Sequence, residues 1–325
     1  MTALNAPVLV VVDHLRGALT TPSAEILTLA RQLAGDGEVA AVSLDPAPDV
    51  ARLGAYGAAT VHVPDLAGLP AESSAVAGEA VLAVCAQVRP AAVLLVSSFA
   101  GKELAARLAV SLASGAVVDA TAVEVRDGAV TASKPVFAGT WSTTCAVTRG
   151  TPVVAVKPTS VEAVEVTDPV EPRVAGVPVE FSAAARAVQL VSRTERPAGG
   201  RPPLAEAKVV VVGGRGVDGD FSLVEELADE IGGAVGATRV ATDEGWIDHS
   251  AQVGQTGVTI SPRLYIGAGV SGAVHHTAGI QAAETIVAVT DDPDAPIFEM
   301  ADFGVVGDLN DVLPQAIAEL RRRRG

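Results

Sequence analysis

The run Arg263-Leu264-Tyr265-Ile266-Gly267-Ala268-Gly269-Val270-Ser271-Gly272 carries a β-type apolar segment into three glycines at G-x-G-x-x-G spacing. A short helix is expected near Ala273, so the stretch reads as strand, glycine turn, helix. Glycine lets the backbone turn sharply and approach a phosphate, and the helix start adds N–H groups and the positive end of a dipole. The next strand, Thr285 to Thr290, is followed by Asp291 and Asp292, roughly 20 residues on, where a Rossmann domain places its ribose-binding acid. The fingerprint nevertheless follows the third or fourth element of its domain rather than the first, which argues against an ordinary NAD fold.

The same half reads as strand Lys208 to Val212, helix Phe221 to Ile231, strand Arg263 to Ile266, strand Thr285 to Thr290, and a last helix from about Pro314 to Arg323. Pro314 suits a first helical position. Upstream, Arg196-Pro197-Ala198-Gly199-Gly200-Arg201-Pro202-Pro203 suits neither helix nor central strand, because its prolines remove donors and its glycines add backbone entropy. The expected division is therefore a first domain over 1–195, a linker over 196–207 and a second domain over 208–325.

The first domain alternates apolar runs, Val8 to Val12, Val39 to Leu44, Thr60 to Val63 and Ala92 to Ser97, with amphipathic stretches. Continuous Val/Leu character fits parallel strands covered on both faces. Helices are expected over Ala24 to Leu33, capped by Ser23, over Ser73 to Val88 and over Gly101 to Leu112. Beyond Asp119 the texture turns to short β runs: Val123 to Val125, Ala129 to Ser133, Cys145 to Thr148 and Val153 to Val156. Asp127-Gly128 makes the first pair a hairpin, and Val161 to Val166 and Val188 to Val191 are expected to finish the domain. The fold class is α/β in two domains: an N-terminal parallel sheet with an antiparallel extension, and a C-terminal Rossmann-like sheet.

Composition narrows the functions. With 325 residues, 49% hydrophobic and 19% charged, the chain is long and apolar enough for two packed cores, which rules out disorder. A formal charge of −15 repels nucleic-acid phosphates and anionic membrane surfaces. Cys85 and Cys145 lie far apart without C-x-x-C or histidine spacing, so they read as core thiols of a reducing compartment and not as a metal set. With no basic n-region, transit segment or apolar run of membrane-spanning length, a cytoplasmic protein without membrane insertion is expected. No nucleophile elbow, Walker loop or acid/base pair points to hydrolysis or acyl transfer.

Two further loops accompany the fingerprint. Gly213-Gly214-Arg215-Gly216 follows a strand, and Arg215 offers a guanidinium fork for a pyrophosphate, although a tight turn with an exposed arginine explains it equally well. In Gln252-Val253-Gly254-Gln255-Thr256-Gly257, amides and a hydroxyl suit the edge of a heteroaromatic ring, with a plain polar turn as the alternative. His275 and His276 are adjacent, so they point apart and cannot share one metal; one is expected to face a ligand. Arg321 to Arg324 reads as a solvated helix end.

Taken together, these words resemble the electron-transfer flavoprotein α-subunit family. The matching segments are LYIGAGVSGAVHHTAGIQ (Leu264 to Gln281), DPDAPIFEMADFGVVGDL (Asp292 to Leu309), GGRG (Gly213 to Gly216), GATR (Gly236 to Arg239), QVGQTG (Gln252 to Gly257) and, in the first domain, GKELAARLA (Gly101 to Ala109). The resemblance implies FAD as cofactor, a β subunit as heterodimer partner, electron donors such as the acyl-CoA dehydrogenases of fatty acid oxidation or other flavin dehydrogenases, and delivery to a quinone reductase. Carried over by position, it implies that Arg215, Thr238, Val253, Gly254, Gln255, Thr256, Ser271, Gly272, Ala273, Val274, His275, His276, Thr290, Asp308 and Leu309 contact FAD. Arg239 would lie over the isoalloxazine, Thr256 by the flavin N5 and His276 toward the pyrimidine carbonyl. His275 and Thr290 stand where the family usually has Gln and Asn. Donors and a cation at that edge stabilise negative charge on a reduced flavin. Two other readings stand beside this one: an NAD-dependent oxidoreductase subunit using Gly267 to Gly272, and a cofactor-free assembly subunit.

Overall fold

The computed structural model describes residues 3–137, 141–193 and 200–324. The chain divides into two compact units, one formed by Met1–Val136 and Ser142–Glu195, the other by Phe137–Trp141 and Arg196–Gly325.

The first unit opens with β1 (Val8–Val12), a small ribbon of β2 (His14–Leu15) and β3 (Ala18–Leu19), and α1 (Thr21–Ala34). It continues through β4 (Val39–Ser43), α2 (Val50–Ala55), β5 (Thr60–Pro64), α3 (Ser74–Val88), β6 (Ala92–Val96) and α4 (Phe99–Ser111). Then come β7 (Ala116–Ala120), β8 (Ala122–Arg126), β9 (Ala129–Val136), β10 (Trp141–Ala146), β11 (Val153–Val156), β12 (Arg173–Val177) and α5 (Ala183–Arg186). Seven of these strands form a parallel sheet of order β12-β5-β4-β1-β6-β11-β7. The expected antiparallel extension is the separate sheet β10-β9-β8, whose β8 and β9 pair antiparallel. Asp127 and Gly128 both have positive φ at its hairpin, as a tight turn matching strand twist requires.

The unbroken apolar runs follow from burial on both faces. Val8, Val10 and Val12 pack with Ile26, Leu29 and Leu33 of α1, while Leu9 and Val11 pack with Val81, Leu104 and Leu108 on the opposite face. Alternate residues of one strand thus serve two cores.

Several expectations are corrected. Thr20, not Ser23, caps α1: its hydroxyl accepts from the Ser23 N–H at 3.4 Å, and the Ser23 hydroxyl instead accepts from the Asp13 N–H at 2.8 Å. Residues 161–166 form no strand. They run as a strap across α1, where the Val164 N–H donates to the Thr28 hydroxyl at 3.0 Å, the Val164 carbonyl accepts from Arg31, and the Thr159 N–H donates to buried Glu25 at 2.8 Å. The Val164 N–H and carbonyl are spent on helix side chains and the Val166 N–H on the Ala55 carbonyl, so no ladder forms. Residues 188–191 are irregular as well, with Val191 95% exposed. The strand expected at Cys145 to Thr148 lies earlier, at Trp141–Ala146. The linker expected over 196–207 falls partly outside the described residues.

The second unit contains β13 (Val209–Gly213), α6 (Ser222–Ile231), β14 (Ala234–Ala237), α7 (Arg239–Asp243), β15 (Leu264–Ala268), α8 (Val274–Thr277), β16 (Thr285–Thr290), β17 (Phe303–Val306) and α9 (Leu309–Arg324). Its five strands are parallel in the order β14-β13-β15-β16-β17. Val210, Val212, Tyr265 and Ile286 face one core, and Val211, Ala268 and Val289 face the other beneath α6 and α9. The last helix does not begin at Pro314. It begins five residues earlier at Leu309, just after Asp308, whose carboxylate accepts from the Asn310 N–H at 2.8 Å, and Pro314 lies inside the helix.

Candidate functional site

Counted within its own unit, the second sheet has the order 2-1-3-4-5, so the direction of winding reverses between β13 and β15. Open parallel sheets bind ligands in the crevice that this reversal leaves at the strands' carboxyl ends. Gly213 to Gly216 and Gly267 to Gly272 leave the sheet at that point. The Gly214 N–H donates to the Ala268 carbonyl at 2.9 Å, and the Gly216 N–H to the Gly269 carbonyl at 3.0 Å.

The glycines are required there by contact. A Cβ on Gly214 would lie 2.2 Å from the Gly269 carbonyl oxygen, and one on Gly216 would lie 2.7 Å from the Gly269 Cα. Gly272 has φ +87 and would place a Cβ 2.3 Å from the Ile297 nitrogen. The two loops therefore touch backbone to backbone, with Arg215 and Ser271 exposed beside them.

The loop at 252–257 is tied to this edge from two sides. The Val253 N–H donates to the Ala237 carbonyl at 2.8 Å, and the Gln255 N–H to the His275 carbonyl at 2.7 Å. Val253 is buried in the core, leaving Gln255 and Thr256 exposed. Thr238 begins α7, and Arg239, also exposed, pairs with Asp243 at 3.2 Å. Thr290 ends β16, and its carbonyl accepts from the Gly307 N–H at 3.0 Å, which brings it beside exposed Asp308. The Leu309 side chain packs into the core under α9, so only its backbone belongs to the edge. Asp292 turns its carboxylate to the Asp294 N–H at 2.9 Å, forming a local turn.

His276 is the most enclosed of the expected site residues that carry a titratable side chain. It is 6% exposed, its Nδ1 lies 2.9 Å from the Val253 carbonyl and its Nε2 lies 2.8 Å from the Tyr265 hydroxyl. A carbonyl only accepts, so Nδ1 carries the proton and Nε2 accepts from Tyr265. Both nitrogens are thus hydrogen-bonded inside the fold. Burial lowers the pKa of this imidazole and outweighs the Val253 carbonyl bond. His275 and Val274 are the exposed residues of α8.

Sequence reasoning missed the support behind Thr256. The Thr242 hydroxyl lies within hydrogen-bonding distance of the Arg239 carbonyl at 2.9 Å and the Gln252 Oε1 at 3.2 Å, and Gln252 Nε2 donates to the Thr256 hydroxyl at 3.0 Å. The Thr256 oxygen is thereby an acceptor, which frees its proton to be donated outward. Gln252 stands in the QVGQTG word and Tyr265 in the LYIGAGVSGAVHHTAGIQ word, and both were readable there; Thr242 carried no signal.

An open doubly wound sheet whose glycine loops meet at the winding reversal places the chain among α/β proteins that bind a ligand at the carboxyl ends of their strands. Residues 8–189 match the family model described as the electron transfer flavoprotein domain, and residues 203–281 match the electron transfer flavoprotein FAD-binding domain. The chain is 44% identical over 327 residues to the electron transfer flavoprotein subunit alpha of Mycobacterium leprae (strain TN), covering 98% of this chain and 100% of that one. The protein of the same name from Syntrophomonas wolfei subsp. wolfei is 36% identical over 318 residues, covering 96% and 98%, and that of Bacillus subtilis (strain 168) is 33% identical over 313 residues, covering 94% of each. The chain belongs to the electron transfer flavoprotein α-subunit family, and its cofactor is FAD.

The edge fits that cofactor: the helical turns starting after Gly214, Thr238 and Ala273 have no side-chain cap, and two exposed guanidinium groups, Arg215 and Arg239, flank it. Among the described residues no group of three or more His, Cys, Asp and Glu could hold a metal ion, and no helix is long and apolar enough to cross a membrane.

Proposed function

We propose that this chain, paired with a β subunit in the cytoplasm, carries electrons from flavin dehydrogenases such as acyl-CoA dehydrogenases toward a quinone reductase. The meeting of the Gly213–Gly216 and Gly267–Gly272 loops at the sheet's reversal point carries this reading. Bound FAD supplies reversible one- and two-electron redox chemistry. The chain's residues bind and tune it: the glycine loops and Arg215 hold the diphosphate, Thr256 donates its hydroxyl proton to the ring, and Thr238, Gln255, Ser271, His275, Thr290 and Asp308 surround the remainder. His276 positions the loop instead of touching the ring. Free Cys85 and Cys145 agree with a reducing compartment.

Arg239 is the strongest electrostatic lever. A unit charge 4 Å away at an effective dielectric of 20 is worth about 4 kcal/mol, an upper figure for a side chain this exposed. The test is a redox titration of the purified heterodimer. One FAD released per α chain on denaturation is expected, with a first reduction potential that falls in Arg239→Ala while FAD stays bound. A heterodimer without flavin, or an unchanged potential in the variant, overturns the assignment. Reduction of the loaded protein by an acyl-CoA dehydrogenase and substrate tests the donor class separately.

A further inference from the structure

The carboxyl ends of β6, β11 and β7 lie side by side in the first unit's sheet and bring together Ser97, Lys157 and Asp119. Backbone bonds fix them: the Ser97 N–H donates to the Val156 carbonyl and the Lys157 N–H to the Ala120 carbonyl, each at 2.8 Å. β7 carries one residue more than β11 between the pairs Val117↔Val154 and Ala120↔Val156. This bulge sets Asp119 at φ 58, and bulges of this kind re-aim a side chain out of the ladder. The Asp119 carboxylate accepts from the Ser97 hydroxyl at 2.9 Å and from Lys102 at 2.7 Å. Lys134 also acts on it electrostatically.

Lys157 is only 8% exposed, yet within the described residues its ammonium makes no hydrogen bond or ion pair. The charges that act on it are Asp119 and Lys102, at the same edge. Asp119 already serves Ser97 and Lys102, so the three N–H donors of Lys157 are left over. Beside them begins α4, thirteen residues long, whose N-terminus adds the positive end of its dipole. Three lysines against one aspartate leave two net positive charges, on a chain whose total is −15.

We infer that the carboxyl edge of the first unit's sheet, between Lys157, Lys102 and the start of α4, binds a phosphate dianion, free or as a monoester. A mostly buried lysine whose ammonium has no protein partner among the described residues, a half-exposed second lysine able to leave Asp119, and a helix start converge there. The surplus of two positive charges matches a dianion better than a carboxylate. The proposal is independent of the flavin reading, since it uses no residue of the second unit.

The test uses the full chain loaded with FAD and joined to its partner, so that the flavin's own diphosphate site is filled. Inorganic phosphate and glycerol phosphate are titrated against chloride at equal ionic strength and followed by phosphorus NMR line width. Saturable binding is expected in the natural protein and about tenfold weaker binding in Lys157→Met, which keeps the apolar stem. Flavin absorbance and melting temperature in chloride should be retained. Asp119→Asn, which removes the opposing charge while tolerating the same backbone, should bind several-fold more tightly. Tighter binding of the ester than of inorganic phosphate assigns the monoester, and equal binding assigns the free ion. No saturable binding beyond chloride, Lys157→Met binding as the natural protein does, or weaker binding in Asp119→Asn overturns the proposal.

Discussion

Tyr265 and His276 together hold the loop at 252–257 against α8, and their chemistry sets a pH limit. Because burial keeps the His276 pKa below its ordinary value, the unfolded chain takes up a proton before the folded one does as pH falls below about 6.5. Its contribution to stability is complete above that pH and is lost as pH falls through the folded pKa. Chemical denaturation at a series of pH values should show this slope, with a smaller slope in His276→Gln. Tyr265→Phe removes the donor to Nε2 and should cost about 1–3 kcal/mol by leaving a buried acceptor unpaired. Glycines separate two further effects. Gly214→Ala forces a methyl against the Gly269 carbonyl and should cost about 2 kcal/mol with loss of flavin retention. Gly128→Ala, at a positive φ with open space around it, should cost about 1 kcal/mol and leave flavin binding untouched. Denaturant titration and released-flavin assays read both. The loop words were visible in the sequence because glycine has few reasons to recur at such spacing. The Thr242–Gln252–Thr256 relay was not, because its members acquire meaning only once α7 and the loop are folded together.

Among the elements, α9 is the clearest case of a sequence rule applied at the wrong place. Proline does favour a first helical turn, but the Asp308 carboxylate offers a cap, and Leu309, Leu313 and Ile317 present one buried stripe that begins before Pro314. Packing overrode the proline. Pro314 therefore costs the helix a bond from its own nitrogen to the Asn310 carbonyl, and Pro314→Ala should raise stability by about 2 kcal/mol. Asp308→Ala should lower it by about 1 kcal/mol; urea denaturation decides both. Strands such as β1 were readable because burial on both faces writes an unbroken apolar run. β14 (Ala-Val-Gly-Ala), β12 (Arg-Val-Ala-Gly-Val) and β17 (Phe-Gly-Val-Val) were missed because they are short and carry glycine, which erases periodicity. α2 and α7 are too short for a helical stripe.

For the molecule as a whole, the plan of each unit, a sheet between two cores, was readable from alternation alone, and strand order was not. Neither composition nor spacing says that β11 enters between β6 and β7, or that β12 crosses to pair with β5 at the far border of the sheet. That crossing is made by the strap over α1, and it decides how the chain can be dissected. A piece ending after β11 would retain six of the seven strands yet strip Glu25, Thr28 and Arg31 of the carbonyls and amides that satisfy them, and leave β5 as a bare border open to pairing with another copy. The shortest self-sufficient excision of the amino-terminal half must therefore run through Val177, and any split-protein or permuted design should keep its cut outside the strap.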